Sequence, residues 1–179
     1  MEIIFLEEKT TGYKLRTIKN ASADATIAIA TDFNSAGEKL TKQSVLFQHK
    51  KYIPIALTSL IISDELVNSV IEQLNSVKAK SLNIAGNGLY TFKGIYTQDQ
   101  IDDYVYELLN CILTSDKLLN KIEIIRTGGQ TGVDQSGAKA GIRLNISTIV
   151  LAPKGWKYRD INGKDISNEK LFKQRFIWK

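Results

Sequence analysis

The sequence has few of the residues that build disulfides and metal centres. It contains one cysteine, Cys111, and one histidine, His49. One cysteine excludes an internal disulfide, and these two residues together cannot supply the four ligands of a structural zinc site. A histidine-based catalytic relay has one candidate at most. We therefore expect a protein of a reducing compartment, the cytoplasm, with neither a bound metal nor a cofactor.

Long apolar runs are also missing. No stretch approaches the roughly 20 residues that a membrane-spanning helix needs. The opening residues, MEIIFLEEKTTGYK, carry acids where an export signal would carry basic side chains. The chain has 179 residues, of which 43% are hydrophobic and 24% charged, and these values are typical of one globular domain. We expect neither export nor a membrane partner.

Positive charge is concentrated at the C-terminus. Residues 152–179 contain eight basic and three acidic side chains, a balance that equals the +5 net charge of the whole chain. Such a segment suggests an anionic partner, and a solvated basic tail explains it equally well. The net charge is small, and no basic helix carries interleaved aromatic residues. Nucleic acid is therefore a disfavoured partner.

Apolar patterns alternate between strands and helices. The patterns predict strands over 26–31, 52–57, 81–87, 121–126 and 147–152, and Pro54 favours an edge position for the second. Ser63 is the predicted N-cap of a helix, and Thr97 with Gln100 forms a capping box for another that runs to about Thr114. Further helices are predicted over 133–144 and within 168–176, with a polar loop over 153–167. The predicted inward faces of the first two helices are Leu66, Val67, Val70, Ile71, Leu74 and Val77, and Ile101, Tyr104, Val105, Leu108, Leu109 and Ile112.

Strands that alternate with helices favour a mostly parallel α/β sheet with helices on both faces. We expect one such domain over 1–179. Within it we distinguish an N-terminal βαβα half (1–78), a core (81–156) and a basic loop and helix (157–179).

Two glycine-bearing loops follow predicted strands. Gly86, Asn87 and Gly88 follow one, and RTGGQTGVDQSGAKAG, residues 126–141, follows the next. Ligands of open α/β sheets bind beyond the carboxyl ends of the strands, and a helix start offers N–H groups to an anion. This position predicts a phosphate-binding turn, with side-chain hydrogen bonds from its polar residues. The turn would consist of Gly128, Gly129 and Gly132, with Thr127, Gln130 and Thr131.

Asp134 complicates a pure phosphate site, because a carboxylate repels a phosphate. It could hold a ribose hydroxyl or a cation, or it could simply cap the helix behind the loop. Gly137 and Gly141 lie inside that helix and are predicted to be close-packing positions. The loop lacks the G-K-[ST] ending of a Walker A motif and does not match the G-x-G-x-x-G dinucleotide fingerprint.

The run GGQTGVD at 128–134, followed by APKGW at 152–156, resembles the molybdenum cofactor carrier family. More broadly, the order of strands, glycine loops and helices over about 81–156 resembles the Rossmann-like SLOG superfamily. That superfamily includes cytokinin-activating phosphoribohydrolases, the DNA-processing protein DprA and sensors of nucleotide-derived signals in bacterial defence. The resemblance implies a site with two walls and one closing side. The first wall would consist of Gly128, Gly129, Gln130, Thr131, Gly132 and Asp134. The opposite wall would consist of Gly86, Asn87 and Gly88, and Lys154 and Trp156 would close one side.

The sequence departs from the phosphoribohydrolases at the residues that would perform catalysis. Those enzymes carry a glutamate soon after the glycine loop and an arginine nearby, whereas this chain has Asp134, Gln135 and no arginine before Arg143. No second group for glycosidic hydrolysis is visible beside Asp134. Trp156 could meet a base or sugar, or could be a core or lid residue.

We therefore expect a protein that binds, and sequesters, an anionic nucleotide-like small molecule of the ADP-ribose or cyclic nucleotide type. The segment ATDFNSAGEKLTK, residues 30–42, resembles small phage proteins, and this implies an anti-defence role. A nucleotide N-glycosidic or phosphate hydrolase that uses Asp134, and a molybdenum cofactor carrier, are the alternatives. The superfamily resemblance also implies a homo-oligomer.

Overall fold

A computed structural model describes residues 3–177, which form eight strands and six helices. The main sheet contains Ile3–Glu7 (β1), Ala25–Ala30 (β2), Lys51–Ala56 (β3), Ser81–Gly86 (β4), Ile124–Thr127 (β5) and Ser147–Ala152 (β6). Lys157–Arg159 (β7) and Asp165–Ser167 (β8) form a separate antiparallel hairpin. The helices are Lys14–Asn20 (α1), Ala36–Phe47 (α2), Asp64–Ser76 (α3), Gln98–Leu113 (α4), Val133–Arg143 (α5) and Glu169–Gln174 (α6).

The main sheet is parallel throughout, with the strand order β1-β6-β5-β4-β2-β3. From β2 the chain moves to one side to form β3. It then returns to the other side of β2 with β4 and continues outward through β5 and β6. The direction of winding therefore reverses between β2 and β4, and ligands of such sheets bind at this switch point. The predicted Rossmann-like α/β class is confirmed.

Most local predictions agree with the structure. The side chain of Ser63 accepts from the Leu66 N–H at 3.2 Å, and Thr97 and Gln100 form the complete capping box. Pro54 lies in β3, which is an edge strand. The predicted inward face of α4 is buried in full, at Ile101, Tyr104, Val105, Leu108, Leu109 and Ile112.

Three predictions are wrong in detail. The N-terminal half contains three strands and three helices rather than two of each, because β1 and an early helix, α1, precede β2. The supposed polar loop over 153–167 contains the β7–β8 hairpin, whose three-residue strands are too short to show a period. Val77 is 40% exposed and does not join the inward face of α3. Residues 1–2 and 178–179 of the predicted domain lie outside the described residues.

The two faces of the sheet differ in composition. On one face, Ile27, Ile29, Leu82 and Ile84 belong to a large apolar cluster that includes α3, α4 and α5. The alternate residues of β2 and β4 are small or polar, and α1 and α2 bury mostly polar residues. This second, polar layer consists of Thr26, Ala28, Ala30, Asn83 and Ala85 from the strands, with Arg16, Asn20, Glu38, Thr41 and Ser44 from the helices.

Glycines bring α5 close to the sheet, as predicted. A Cβ atom at Gly137 would overlap the side chain of Ile84, and one at Gly141 would overlap the Thr148 hydroxyl. This close approach fixes the start of α5, and therefore the glycine loop, against β4 and β5. Among the helices of residues 3–177, none has the length and apolar character that a membrane crossing needs.

Candidate functional site

A cavity of about 420 Å³ lies at the carboxyl ends of β2 and β4. Its size falls within the range of small-molecule sites. Four segments line it: the residues from Tyr13 to Asn20, the first turns of α2, the end of β4 with its following loop, and the glycine loop. Arg159 of the hairpin completes the lining. The cavity therefore occupies the position where the topology predicts a ligand.

Seven of the twelve predicted site residues line this cavity, and the two predicted loops meet there. The Val133 N–H donates to the Asn87 carbonyl at 3.2 Å. The Leu89 N–H donates to the Thr131 hydroxyl at 3.3 Å. The structure thus brings together Gly86, Asn87, Gly88, Gly128, Gln130, Thr131 and Asp134.

Three other predicted residues lie behind the cavity wall. The Thr127 hydroxyl donates to the Asp134 carbonyl at 2.8 Å and fixes the first turn of α5. Gly129 has a φ of +75°, and a Cβ atom there would overlap Phe172. Gly132 has a φ of +76°, and its Cβ would overlap the Asn87 carbonyl oxygen. These residues shape the loop and are not among the residues that line the cavity.

The remaining two predicted residues, Lys154 and Trp156, do not line the cavity. Lys154 is exposed. Trp156 packs edge-on against Phe172, with ring centroids 5.5 Å apart, and Lys173 lies over its ring at 4.7 Å. Trp156 is half-buried and packs against the smaller apolar cluster around Phe172.

Asn87 joins the two loops that flank the switch point. Its Oδ1 atom accepts from the N–H groups of Thr31 and Asp32 at 2.9 and 3.0 Å, and its Nδ2 donates to the Asp32 carbonyl at 3.0 Å. Asn87 is buried, and it positions the chain that leads into α2. Its side chain is therefore committed to protein contacts.

The carboxylate of Asp134 lies within the glycine loop. Its Oδ2 atom accepts from the Gln130 N–H at 3.2 Å and lies 3.4 Å from Nη1 of Arg16, which also donates to the Gly128 carbonyl. Burial raises the pKa of Asp134, and the charge of Arg16 opposes this shift. Asp134 does not cap α5, as the sequence alternative had it: the N-cap residue is Gly132, and the Asp134 carboxylate, in the first turn, binds the N–H of a loop residue before the helix.

Three backbone N–H groups in and just after the glycine loop are bound by the protein itself. The Gln130 N–H is bound by Asp134, the Gly132 N–H by Oε1 of Gln98 at 2.7 Å, and the Val133 N–H by Asn87. The turn therefore offers a phosphate fewer free donors than its glycine content suggests.

The C-terminal segment holds the glycine loop in place. The amide of Gln130 donates to the Lys157 carbonyl and accepts from the Arg159 N–H, both at 3.1 Å. Arg175 donates to the Gly129 carbonyl at 2.7 Å, and burial lowers the pKa of Arg175 to about 10. Three other basic side chains of the segment form ion pairs: Lys157 and Arg159 with Asp165, and Lys173 with Glu169. Much of the charge of the segment is therefore used in internal contacts.

The sequence did not reveal the polar residues of α1, α2 and β4 that line the cavity. Arg16 and Asn20 are one helical turn apart, as are Glu38 and Thr41, and Asn83 lies opposite them on β4. Polar residues at helical spacing indicate an exposed face by default. The only signal available was the run of small residues in β2, which leaves room beneath these helices.

Unpartnered polar atoms concentrate around the cavity. Among the described residues, six buried side-chain atoms lack a hydrogen-bond partner, and four belong to residues that line this cavity. Each buried atom without a partner costs about 1–3 kcal/mol, so such a cluster indicates groups that a ligand would satisfy. The four atoms are Arg16 Nε, Asn20 Oδ1, Glu38 Oε2 and Asn83 Oδ1.

Glu38 is the second carboxylate of the site. Burial raises its pKa to about 7, and the nearby charges of Asp134 and Asp32 act in the same direction. Glu38 is only 3% exposed and belongs to the first turn of α2. Burial and these charges therefore both favour the protonated form of Glu38.

The mouth of the cavity has features of a different kind. Ala36 and Gly37 are exposed at the start of α2, where backbone N–H groups have no intrahelical acceptor and the helix dipole is positive. Ser35 caps the helix by accepting from the Glu38 N–H at 3.3 Å. Tyr13 and Tyr90 line the same cavity, 39% and 53% exposed. The mouth therefore offers donors for an anion and two aromatic rings.

The family model of the circularly permutated YpsA SLOG family matches residues 4–109. This is more than half of the chain, and the protein belongs to that family. The matched residues include α1, α2 and the loop after β4, and they end before the glycine loop. Membership of this family suggests a nucleotide-related ligand.

Comparison with curated proteins found no match. Among solved structures, NADH-dependent butanol dehydrogenase A from Thermotoga maritima is similar at 11% identity, with a TM-score of 0.41 over 87% of this chain and 43% of that enzyme. The chain thus spans less than half of that enzyme's length.

Proposed function

We propose that the cavity binds a nucleotide-derived, phosphorylated small molecule and holds it without converting it. The observation that carries this proposal is the cluster of four unpartnered buried polar atoms around one cavity at the switch point. A purely structural cavity would be lined by apolar or mutually paired groups, whereas this lining lacks partners for both donors and acceptors.

The mouth suits the phosphate and the base. The start of α2, at Ala36 and Gly37, provides backbone N–H groups and a positive dipole end, and Arg159, which is paired with Asp165, lies at the rim. Gly37 has open space around its Cβ position, so an anion can approach the backbone there. The rings of Tyr13 and Tyr90 offer surfaces on which a base can stack.

The contacts of Asp134 favour binding over catalysis. Its Oδ2 atom is paired with Arg16 and accepts from the Gln130 N–H, so this oxygen is engaged before any ligand enters. We propose ADP-ribose-type molecules or cyclic nucleotides as the ligands. Tight binding without turnover would let a phage-encoded protein sequester a host immune signal.

The test combines identification of the ligand with calorimetry. Small molecules released from the purified protein by denaturation are analysed by mass spectrometry. The protein is then titrated with AMP, ADP-ribose, cyclic nucleotides and a phosphorylated pterin. Binding of a nucleotide that is recovered unchanged supports the proposal. A pterin as the bound species would instead favour a molybdenum cofactor carrier, and no binding by any compound would overturn the proposal.

A second candidate function is hydrolysis of a nucleotide N-glycosidic bond. The observation that favours it is the presence of two carboxyl groups, Glu38 and Asp134, in one cavity, and a pKa of about 7 suits Glu38 to act as a general acid. Chromatography of the bound nucleotide after prolonged incubation decides between the two functions. Product that disappears in Asp134→Asn, with binding retained, would establish the enzyme, and unchanged nucleotide would contradict it.

A further inference from the structure

The floor of the cavity is rich in hydrogen-bond acceptors that lack donors. Three unpartnered oxygen atoms come from three different elements: Oδ1 of Asn20 on α1, Oε2 of Glu38 on α2, and Oδ1 of Asn83 on β4. Their residues are 3%, 3% and 2% exposed, so bulk water does not satisfy them. The floor therefore requires a group that donates several hydrogen bonds.

The charges around the floor favour a neutral donor over an anion. Arg16 is engaged by Asp134 and the Gly128 carbonyl, so its charge is already matched. Glu38 has no ion-pair partner within 4 Å among the described residues, and the nearby acids Asp32 and Asp134 add negative potential. A phosphate at this depth would meet these carboxylates. A hydroxyl-bearing group would supply donors without adding charge.

Packing alone does not explain a carboxylate at position 38. The strands beneath α2 present Ala28, Ala30 and Ala85, and an apolar side chain could fill this space without an unsatisfied oxygen. Glu38 instead presents an acceptor that gains a partner only when a donor enters the cavity. Asn20 and Asn83 flank the same cavity in the same unsatisfied state.

We propose that this floor is a subsite for the vicinal hydroxyl groups of a ribose, and that Glu38 is the residue that determines this specificity. The inference rests on the proposed function, because it assigns the sugar of the same ligand. Among the proposed ligands it favours the ADP-ribose type, because a 3′,5′-cyclic nucleotide has no free pair of vicinal hydroxyl groups. The phosphate and base remain at the mouth, against the start of α2 and the tyrosine rings. The protein would then distinguish ribose from deoxyribose by hydrogen bonds from the hydroxyl groups to the floor.

The test compares AMP with 2′-deoxy-AMP and 3′-deoxy-AMP by calorimetry. We expect removal of a hydroxyl group to weaken binding to the wild-type protein at least tenfold. Glu38→Gln should weaken AMP binding by a similar factor and remove most of the preference for AMP over the deoxy forms. Glu72→Gln, an exposed position on α3, is the matched control and should bind AMP like the wild type.

Each outcome of this comparison supports or overturns the inference. Equal affinity for AMP and both deoxy forms would overturn it, even when the nucleotide binds tightly. If Glu38→Gln still prefers AMP to the deoxy forms by the wild-type factor, Glu38 does not determine the specificity for ribose. Absence of AMP binding would also overturn the assignment of the ribose subsite. The proposed function is tested separately, by the wider series of ligands described above. Thermal unfolding of both variants confirms that each is folded.

Discussion

Asn87 and Asp32 are joined by two reciprocal hydrogen bonds: the Asp32 N–H donates to Oδ1 of Asn87, and Nδ2 of Asn87 donates to the Asp32 carbonyl, both at 3.0 Å. This pair connects the loops that follow β2 and β4, the two strands at the switch point. Because the Asp32 loop leads into α2, Asn87 indirectly positions the helix start that faces the cavity.

Replacement of Asn87 should therefore loosen the site more than it destabilises the protein. Asn87→Ala removes four hydrogen bonds, and we expect a loss of about 2 kcal/mol in the free energy of unfolding. Ligand affinity should fall at least tenfold because the start of α2 is no longer fixed. Urea denaturation and calorimetry measure the two effects. The control is Asn68→Ala on α3, which removes a hydrogen bond from Lys117 at a residue that does not line the cavity. Unchanged affinity would show that Asn87 does not position the site.

Gly132 should tolerate no side chain. Its φ is +76° with a ψ of −135°, and a Cβ atom would overlap the Asn87 carbonyl. We expect Gly132→Ala to cost about 3 kcal/mol or more, from backbone strain and from separation of the two loops. Gly94→Ala is the matched control, because Gly94 has a φ of +79° with open space around it. Gly94→Ala should lower the free energy of unfolding by only about 1 kcal/mol. Equal losses in the two variants would show that the close contact of Gly132 with the Asn87 carbonyl adds nothing to the effect of the positive φ.

The buried pair of Arg16 and Asp134 should be coupled energetically. Arg16→Met leaves the Asp134 carboxylate buried without its cation, which typically costs about 3–5 kcal/mol. Asp134→Asn should cost less, and the double variant should recover part of the Arg16→Met loss. We expect a coupling of about 2 kcal/mol from a double-mutant cycle in urea. The exposed pair of Lys173 and Glu169 serves as the control, with an expected coupling below about 1 kcal/mol. If the stability losses of Arg16→Met and Asp134→Asn simply add in the double variant, the two side chains are not coupled and the prediction is wrong.

The stability contributed by Glu38 should decrease as the pH rises. Its pKa is raised from 4.5 to about 7, so the folded state favours the protonated form, and this stabilisation is lost between those values. Relative to Glu38→Gln, the wild type should lose about 3 kcal/mol between pH 4.5 and pH 8. The charged groups that face Glu38 and oppose its charge are Asp134 and Asp32. Tyr52 also faces Glu38, but burial and the charge of Glu38 raise the pKa of Tyr52 to about 12, so it stays neutral in this range.

Denaturation of the wild type, Glu38→Gln and Glu72→Gln at pH 5 and pH 8 measures this effect. The stability of Glu38→Gln relative to the wild type should increase from the lower pH to the higher, while Glu72→Gln follows the wild type. A difference between Glu38→Gln and the wild type that does not change with pH would show that Glu38 does not titrate in this range.

Local signals in the sequence predicted the elements that carry strong apolar or capping patterns. The Thr97–Gln100 capping box and the apolar face of α4 are set by contacts within a few residues, so short windows contain the information. β1 differs, because its role is defined by pairing with β6, which lies more than 140 residues later. The hairpin of β7 and β8 is defined in part by its contacts with Gln130.

The same distinction applies to the site. The two glycine loops could be predicted, because each follows an apolar strand and the carboxyl ends of parallel strands share one edge of the sheet. Glu38 and Arg16 could not, because a polar residue on a helix gives no local indication that it is buried. Their burial depends on the small residues of β2, and the contacts of Arg16 with the glycine loop depend on the order of the strands.

The most direct test of the central claim places a negative charge at the mouth of the cavity without disturbing the fold. Gly37→Glu adds a side chain where there is open space, and a carboxylate at the start of α2 is favourable to the helix. The control Gln43→Glu adds the same charge at an exposed position further along α2. Calorimetric titration with the nucleotide that binds best should show at least tenfold weaker binding for Gly37→Glu, with unchanged thermal stability, and wild-type affinity for Gln43→Glu. Wild-type affinity in Gly37→Glu would contradict the claim that this cavity holds the phosphorylated ligand.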